Sequence, residues 1–225
     1  LATFEGVIYP SFSQSVHVCE PEDIPAGVFH HRAIDWGASA EHPFVCLWGY
    51  VDGEGNWTIY DEYWNTSQER LLSDHIHEIE ERSYAWGYPL DYARNPYYGA
   101  CFADPSRPDN IAAFNAAGVW IEPASNDVFN GIECVRVHLK TNPVTRRPKL
   151  RIFNTCKHLI EEMRMYRWKR SKKATDGGVL NPVAAVPAPL KRDDDTVDAL
   201  RYMLFSAQMQ EGGTRPFEAS YKPDK

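Results

Sequence analysis

The sequence predicts an α/β fold built on a mixed sheet, and three observations predict it. Phe29 to Asp35, Phe44 to Val51 and Trp57 to Trp64 are rich in β-branched and aromatic residues, so the chain opens with three strands in antiparallel succession. After Tyr97, short apolar runs alternate with segments of helical spacing, as expected of strands joined by helices. At 225 residues and 43% hydrophobic, with 7 Trp, 12 Tyr and 10 Phe, the chain can bury one sizeable core.

The elements follow in order. Residues 1–27 hold Gly6, Pro10, Pro21, Pro25 and Gly27 with little periodicity, and read as a linker or junction segment. The body is expected over 28–210. Asp52-Gly53-Glu54-Gly55-Asn56 is a hairpin signal between the second and third strands. Thr66 to Tyr84 carries Leu71, Leu72, Ile76 and Ile79 at helical spacing, with Thr66 or Ser67 as its cap. Tyr97 to Ala103 is a fourth strand, Arg107 to Ala117 a helix stopped by Gly118, and Val119 to Glu122 a short fifth strand. Asp127 to Leu139 is helical, with Val128, Ile132, Val135 and Leu139 on one face. Leu150 to Phe153 is a short strand, and Thr155 to Trp168 a helix capped by Asn154 or Thr155. Gly177-Gly178, Pro182, Pro187 and Pro189 make 171–191 a loop or hairpin insertion before the last helix. That helix runs from about Asp194 to Gln210 with Val197, Leu200, Met203 and Leu204 as its buried stripe, and 211–225 reads as a flexible tail. Three strands, helix, strand, helix, strand, then helices is the order of a ribonuclease H-like sheet. In that fold the first strand is central and its end faces the end of the fourth.

Composition narrows the function classes. No stretch approaches the roughly 20 apolar residues of a membrane span. The five cysteines, at 19, 46, 101, 134 and 156, form no CxxC pair, so neither a zinc ribbon nor a disulfide framework is indicated, and a reducing compartment fits. The net charge of -7 conceals a basic segment: 13 Lys and Arg between Arg136 and Lys173 face only Glu161 and Glu162, a balance of +11 that leaves -18 elsewhere. Such asymmetry suits a polyanionic partner, although charge alone fits a solvated face equally well.

Three acidic motifs carry the chemistry: Ala33-Ile34-Asp35-Trp36-Gly37, Phe102-Ala103-Asp104-Pro105-Ser106, and Asp193-Asp194-Asp195-Thr196-Val197-Asp198-Ala199-Leu200. Asp35 and Asp104 close apolar strands, where a lone aspartate is more often a turn former. Asp195 suits an N-cap, and Asp198, three residues on, shares its helical face. Four aspartates within six residues repel one another unless a cation compensates; Lys191 and Arg192 precede them, and hard oxygen donors of this kind suit Mg²⁺ or Mn²⁺. His30, His31, His42 and His138 match no zinc spacing and read as structural or surface residues.

The ordered set, from Glu5-Gly6-Val7-Ile8-Tyr9-Pro10 through the first two acidic motifs to Tyr166-Arg167-Trp168 and Asp195-Thr196-Val197-Asp198-Ala199-Leu200-Arg201-Tyr202, resembles the nuclease domain of the large terminase subunit of tailed bacteriophages. The resemblance covers roughly residues 1–207. It implies a ribonuclease H/RuvC-like endonuclease that uses two Mg²⁺ or Mn²⁺ ions to cut concatemeric viral double-stranded DNA during packaging. It implies metal roles for Asp35, Asp104, Asp195 and Asp198, with Asp194 as an alternative in the last run and Glu41 as a further acid near the metals. Portal and small terminase subunit are the partners it implies, and the host-cell cytoplasm the location. The sequence shown has no GxxxxGK[ST] loop, so the family's ATPase motor is expected as a covalently linked domain outside it. Arg146, Arg147, Lys169, Arg170, Lys172 and Lys173 are the expected DNA contacts. A Holliday-junction resolvase of the same fold, or a non-catalytic arm that grips DNA or docks on the portal, are the alternatives.

Overall fold

The computed structural model describes residues 6–37, 39, 41–87, 98–169 and 188–212. Among these, seven strands form one mixed sheet. In chain order they are β1 (Val18–Cys19), β2 (Phe29–Asp35), β3 (Phe44–Val51), β4 (Trp57–Asn65), β5 (Tyr98–Ala103), β6 (Glu122–Pro123) and β7 (Leu150–Phe153). Their order across the sheet is β1-β7-β4-β3-β2-β5-β6. The three antiparallel strands expected from the sequence are β2, β3 and β4, and β5 and β7 then pair parallel to β2 and β4. As expected, β2 is internal, and Ile34 pairs with Ala103, so Asp35 and Asp104 leave the sheet side by side.

The helices are α1 (Gln14–His17), α2 (Leu72–Ala85), α3 (Pro108–Ala116), α4 (Val128–His138), α5 (Lys157–Met165) and α6 (Asp195–Gly212). Alternation along β2 assigns the two faces of the sheet. Arg32 points to one of them, where it donates to Ser83 of α2 at 3.1 Å, as does Trp48 Nε1 at 3.0 Å. Ala33 and Asp35 point to the other, which α6 covers, backed by α4 and α5. The predicted stripe of α6 is fully buried, and so are Ala199, Arg201 and Tyr202 between its members, because α6 lies between sheet and helices rather than on the surface. Two glycines admit it. A Cβ on Gly49 of β3 would lie 2.9 Å from Met203 Sδ, and one on Gly131 of α4 would lie 2.5 Å from Arg201 Cγ.

Several boundaries differ from the sequence expectation. Helix α2 starts at Leu72, not near Thr66 or Ser67, because Asn65 and Ser67 spend their side chains on the amides of Ser67 and Glu69 in a turn. Asp74 then reaches back to the Leu71 amide at 2.9 Å. Helix α5 begins after Cys156, which offers no side-chain cap, and ends at Met165. Residues 166–168 are extended because both their sides are paired: Ile8 donates to the Tyr166 carbonyl at 2.7 Å and Leu190 to that of Arg167 at 2.8 Å. The short strand expected at Val119 to Glu122 is Glu122–Pro123. Within the expected junction segment, Ile8 and Tyr9 are core residues and β1 extends the sheet beside β7. The insertion at 171–191 lies outside the described residues except for 188–191, and so does the expected tail from 213 onward.

Candidate metal centre

Asp35, at the carboxyl end of β2, is partly buried on the face that α6 covers. Burial, then the charges of Asp198, Asp195 and Asp104, raise its carboxyl well above the usual range, and Lys191 opposes them. The acids predicted from three distant motifs are therefore electrostatic neighbours. Two contacts fix the strand ends that carry them. The Asp104 amide donates to the Ile34 carbonyl at 3.2 Å, and Trp36 Nε1 donates to the Asp104 carbonyl at 2.7 Å. Trp36 is held in turn against Phe44 and Phe114. Gly37 lets the chain turn back, since a Cβ there would lie 2.1 Å from the His42 carbonyl oxygen.

Asp104 accepts from the Ser106 amide at 2.9 Å and from its hydroxyl at 2.7 Å, the turn that Asp-Pro-Ser suggested. A carboxylate oxygen has two lone pairs, so this turn leaves acceptor sites free for a further ligand.

The first turn of α6 supplies the rest. Asp198 donates its amide to the Asp194 carbonyl at 2.8 Å, which places Asp194, not Asp195, at the cap position. Asp193 enters that turn with φ 50°, a left-handed conformation that aspartate tolerates better than most residues. Asp194, Asp195 and Asp198 are all buried. Each has a nitrogen partner: Lys191 Nζ lies 3.2 Å from Asp194 Oδ2 and also pairs with Asp198, Arg201 lies 3.3 Å from Asp198, and His42 Nδ1 lies 3.4 Å from Asp195. Desolvation and the adjacent Asp194 raise the Asp195 carboxyl to about 6, and desolvation with Asp198 raises that of Asp194. Glu41 is exposed, and among the described residues no hydrogen bond or ion pair joins it to these acids.

The donor set fits a hard divalent cation. Its oxygens are carboxylate, and the charges of three further aspartates act on Asp35. Among the described residues, no three His, Cys, Asp or Glu side chains already share one ion's coordination distance. The acids lean instead on Lys191, Arg201, His42 and Ser106.

The basic segment divides. Arg146 and Arg147 are exposed in the turn before β7, which begins opposite Trp57 and hence at the sheet end away from Asp35. Lys169 is exposed, and its amide bonds to the Ala188 carbonyl at 2.8 Å, next to the segment leading into α6. Arg170, Lys172 and Lys173 lie outside the described residues.

Sequence inspection missed Glu162, a buried carboxylate at the start of α6, and the pairing of Arg201 with Asp198. Glu162 looked like one of two acids in a basic run. Its signal was helical spacing, because it shares the inward face of α5 with Leu159 and Met163.

No protein-family model and no curated protein sequence matches the chain. Solved structures do. The large terminase of a thermophilic bacteriophage superposes with TM-score 0.69 and 22% identity over 92% of this chain and 45% of that one. The nuclease domain of the P22 large terminase superposes with TM-score 0.62 and 18% identity over 91% of this chain and 93% of that one. The chain has the fold of a large-terminase nuclease domain. It spans just under half the thermophilic phage's protein and nearly the whole of the P22 domain.

Proposed function

We propose that this chain is an Mg²⁺- or Mn²⁺-dependent endonuclease acting on double-stranded DNA during genome packaging. The observation that carries the proposal is Asp35, which ends β2 beside Asp104 on the face that α6 covers, within reach of the charges of Asp195 and Asp198, inside a terminase nuclease fold. Asp35, Asp104, Asp195 and Asp198 would hold the ions, with Asp194 as the alternative in the last run, and Lys191 balances their charge. Bound Mg²⁺ or Mn²⁺ supplies a water of lowered pKa and positive charge beside the phosphate. In the hydrolysis a water oxygen bonds to phosphorus, the bond to the 3′ oxygen breaks, and that oxygen leaves with a proton. Trp36 keeps the two strand ends in register while this happens. Lys169, beside the segment that leads into α6, and the basic residues that follow it in sequence take the DNA backbone. An ATPase motor on another polypeptide segment, a portal and a small terminase subunit are the partners of this role, and the host-cell cytoplasm is its place.

Plasmid digestion in Mg²⁺, Mn²⁺ or EDTA tests the proposal. Nicking and linearisation with either ion and none in EDTA is the expected result. A chain that binds DNA but never cuts it is instead a non-catalytic arm, and a strong preference for four-way junctions makes it a resolvase.

A further inference from the structure

Two helices at this end of the sheet start without a capping side chain of their own, and a glutamate from an earlier element, partly buried Glu62 or buried Glu162, caps each of them. Glu62 of β4 accepts the His158 amide at 2.9 Å and the Leu159 amide at 3.0 Å, at the start of α5. Its Oε1 also lies 2.9 Å from His158 Nδ1, and that ring stacks on Trp64 with centroids 4.1 Å apart. Glu162 of α5 repeats the arrangement one layer on. Its Oε2 accepts the Thr196 amide at 2.8 Å, the Val197 amide at 3.2 Å and the Thr196 hydroxyl, at the start of α6.

The first amides of a helix need acceptors, and a residue of the helix's own first turn usually supplies one. Here the residues able to do so are Asp194 and Asp195, whose carboxylates face Lys191 and His42 instead. An aspartate that turned back to cap would withdraw from the metal centre. An outside carboxylate leaves both free. Its acceptor oxygen bonds the two residues directly after Asp195 and directly before Asp198, so it fixes where both project.

We infer that Glu162 is a positioning residue of the nuclease centre, holding Asp195 and Asp198 in place through the Thr196 and Val197 amides, with Glu62 anchoring the helix that carries it. This role rests on the nuclease function proposed above. Catalytic groups tolerate little displacement, and a misplacement of about 1 Å can cost about 100-fold in rate.

The test compares wild type with E162A, E162D and E162Q in four measurements: melting temperature, kcat and KM on plasmid DNA, Mn²⁺ binding by calorimetry, and hydrogen exchange at the Thr196 and Val197 amides. E162A is expected to lose about 100-fold in kcat with KM for DNA little changed, to bind Mn²⁺ more weakly and to exchange both amides faster. E162Q keeps an acceptor oxygen at the same reach and is expected to restore most of kcat and the slow exchange. E162D keeps the carboxyl group, falls short of the amides and is expected to resemble E162A; it decides the matter if E162A does not fold. Wild-type kcat in a folded E162A or E162D overturns the role. So does an E162Q that binds no Mn²⁺, which makes Glu162 a metal ligand. A wild-type chain that never cuts overturns the nuclease function itself, and this role with it, whereas the other two results leave that function standing.

Discussion

Replacing Asp195 with asparagine is expected to strengthen the metal-free protein while disabling it. The Asp195 side chain is only 8% exposed, and its carboxyl is raised from 3.8 to about 6. A group whose folded pKa exceeds its unfolded value binds more protons in the native state, so stability falls as pH rises through that window. At about 1.36 kcal/mol per pH unit, the ionised carboxylate costs the folded chain at most about 3 kcal/mol above pH 7. Asparagine has the same shape and no charge to desolvate, and it forfeits only the contact with half-exposed His42, worth up to about 1 kcal/mol. A net gain of about 2 kcal/mol follows, or about 4–8 °C in melting temperature for a domain of this size. Thermal unfolding in EDTA at pH 8 and pH 3.5 measures it, with the difference between variant and wild type nearly gone at the lower pH. Added Mn²⁺ should raise the wild-type melting temperature and close the gap from the other side. The reasoning fails if the variant gains nothing at pH 8, or gains as much at pH 3.5.

Other perturbations separate chemistry from scaffolding. Asp35→Ala and Asp104→Ala should each abolish metal-dependent cleavage while circular dichroism stays native, and normal cutting by either variant removes that residue from the centre. Arg201→Met should destabilise by about 3–5 kcal/mol, because it strips buried Asp198 of a paired charge; denaturant unfolding reads it, and a shift below 1 kcal/mol means that Lys191 alone suffices. Lys169→Glu should weaken DNA binding at all sequences and flatten its salt dependence, whereas Arg146→Glu with Arg147→Glu should change both less. Fluorescence anisotropy across a salt series decides between these two basic sites, and a larger effect from the arginine pair places the DNA at the far end of the sheet.

Strand boundaries were legible because strand residues announce themselves locally. The ranges of β2, β3 and β7 coincide with the expected runs, since the β-branched and aromatic clusters end at turn-forming residues, Asp35, Pro43, Asp52 and Asn154. The ends of α2 and α5 were not, because they depend on acceptors elsewhere: Asn65 and Ser67 in a turn, Glu62 across the sheet. The centre shows the same division. Asp35 and Asp104 stand at strand ends and the aspartate run opens a helix, so a motif finds them. Glu162 has no motif: its importance lies in a distance to α6 that follows from the packing of α5. Lys191 was noticed only as a neighbouring charge, and its reach to both Asp194 and Asp198 depends on the left-handed turn at Asp193.

Helix α6 lies against β2, β3 and β5, and it follows all of them in the chain. During synthesis the strand-end acids leave the ribosome about 90 residues or more before Asp195 does, roughly 5–20 seconds at the usual pace of translation. Through that interval the nascent chain holds only the strand-end half of the proposed centre. Any prematurely stopped product that lacks the last helix shares this condition. The proposed centre thus gains its final acids only when the layer that buries them arrives, so its completion and that of the core are a single event.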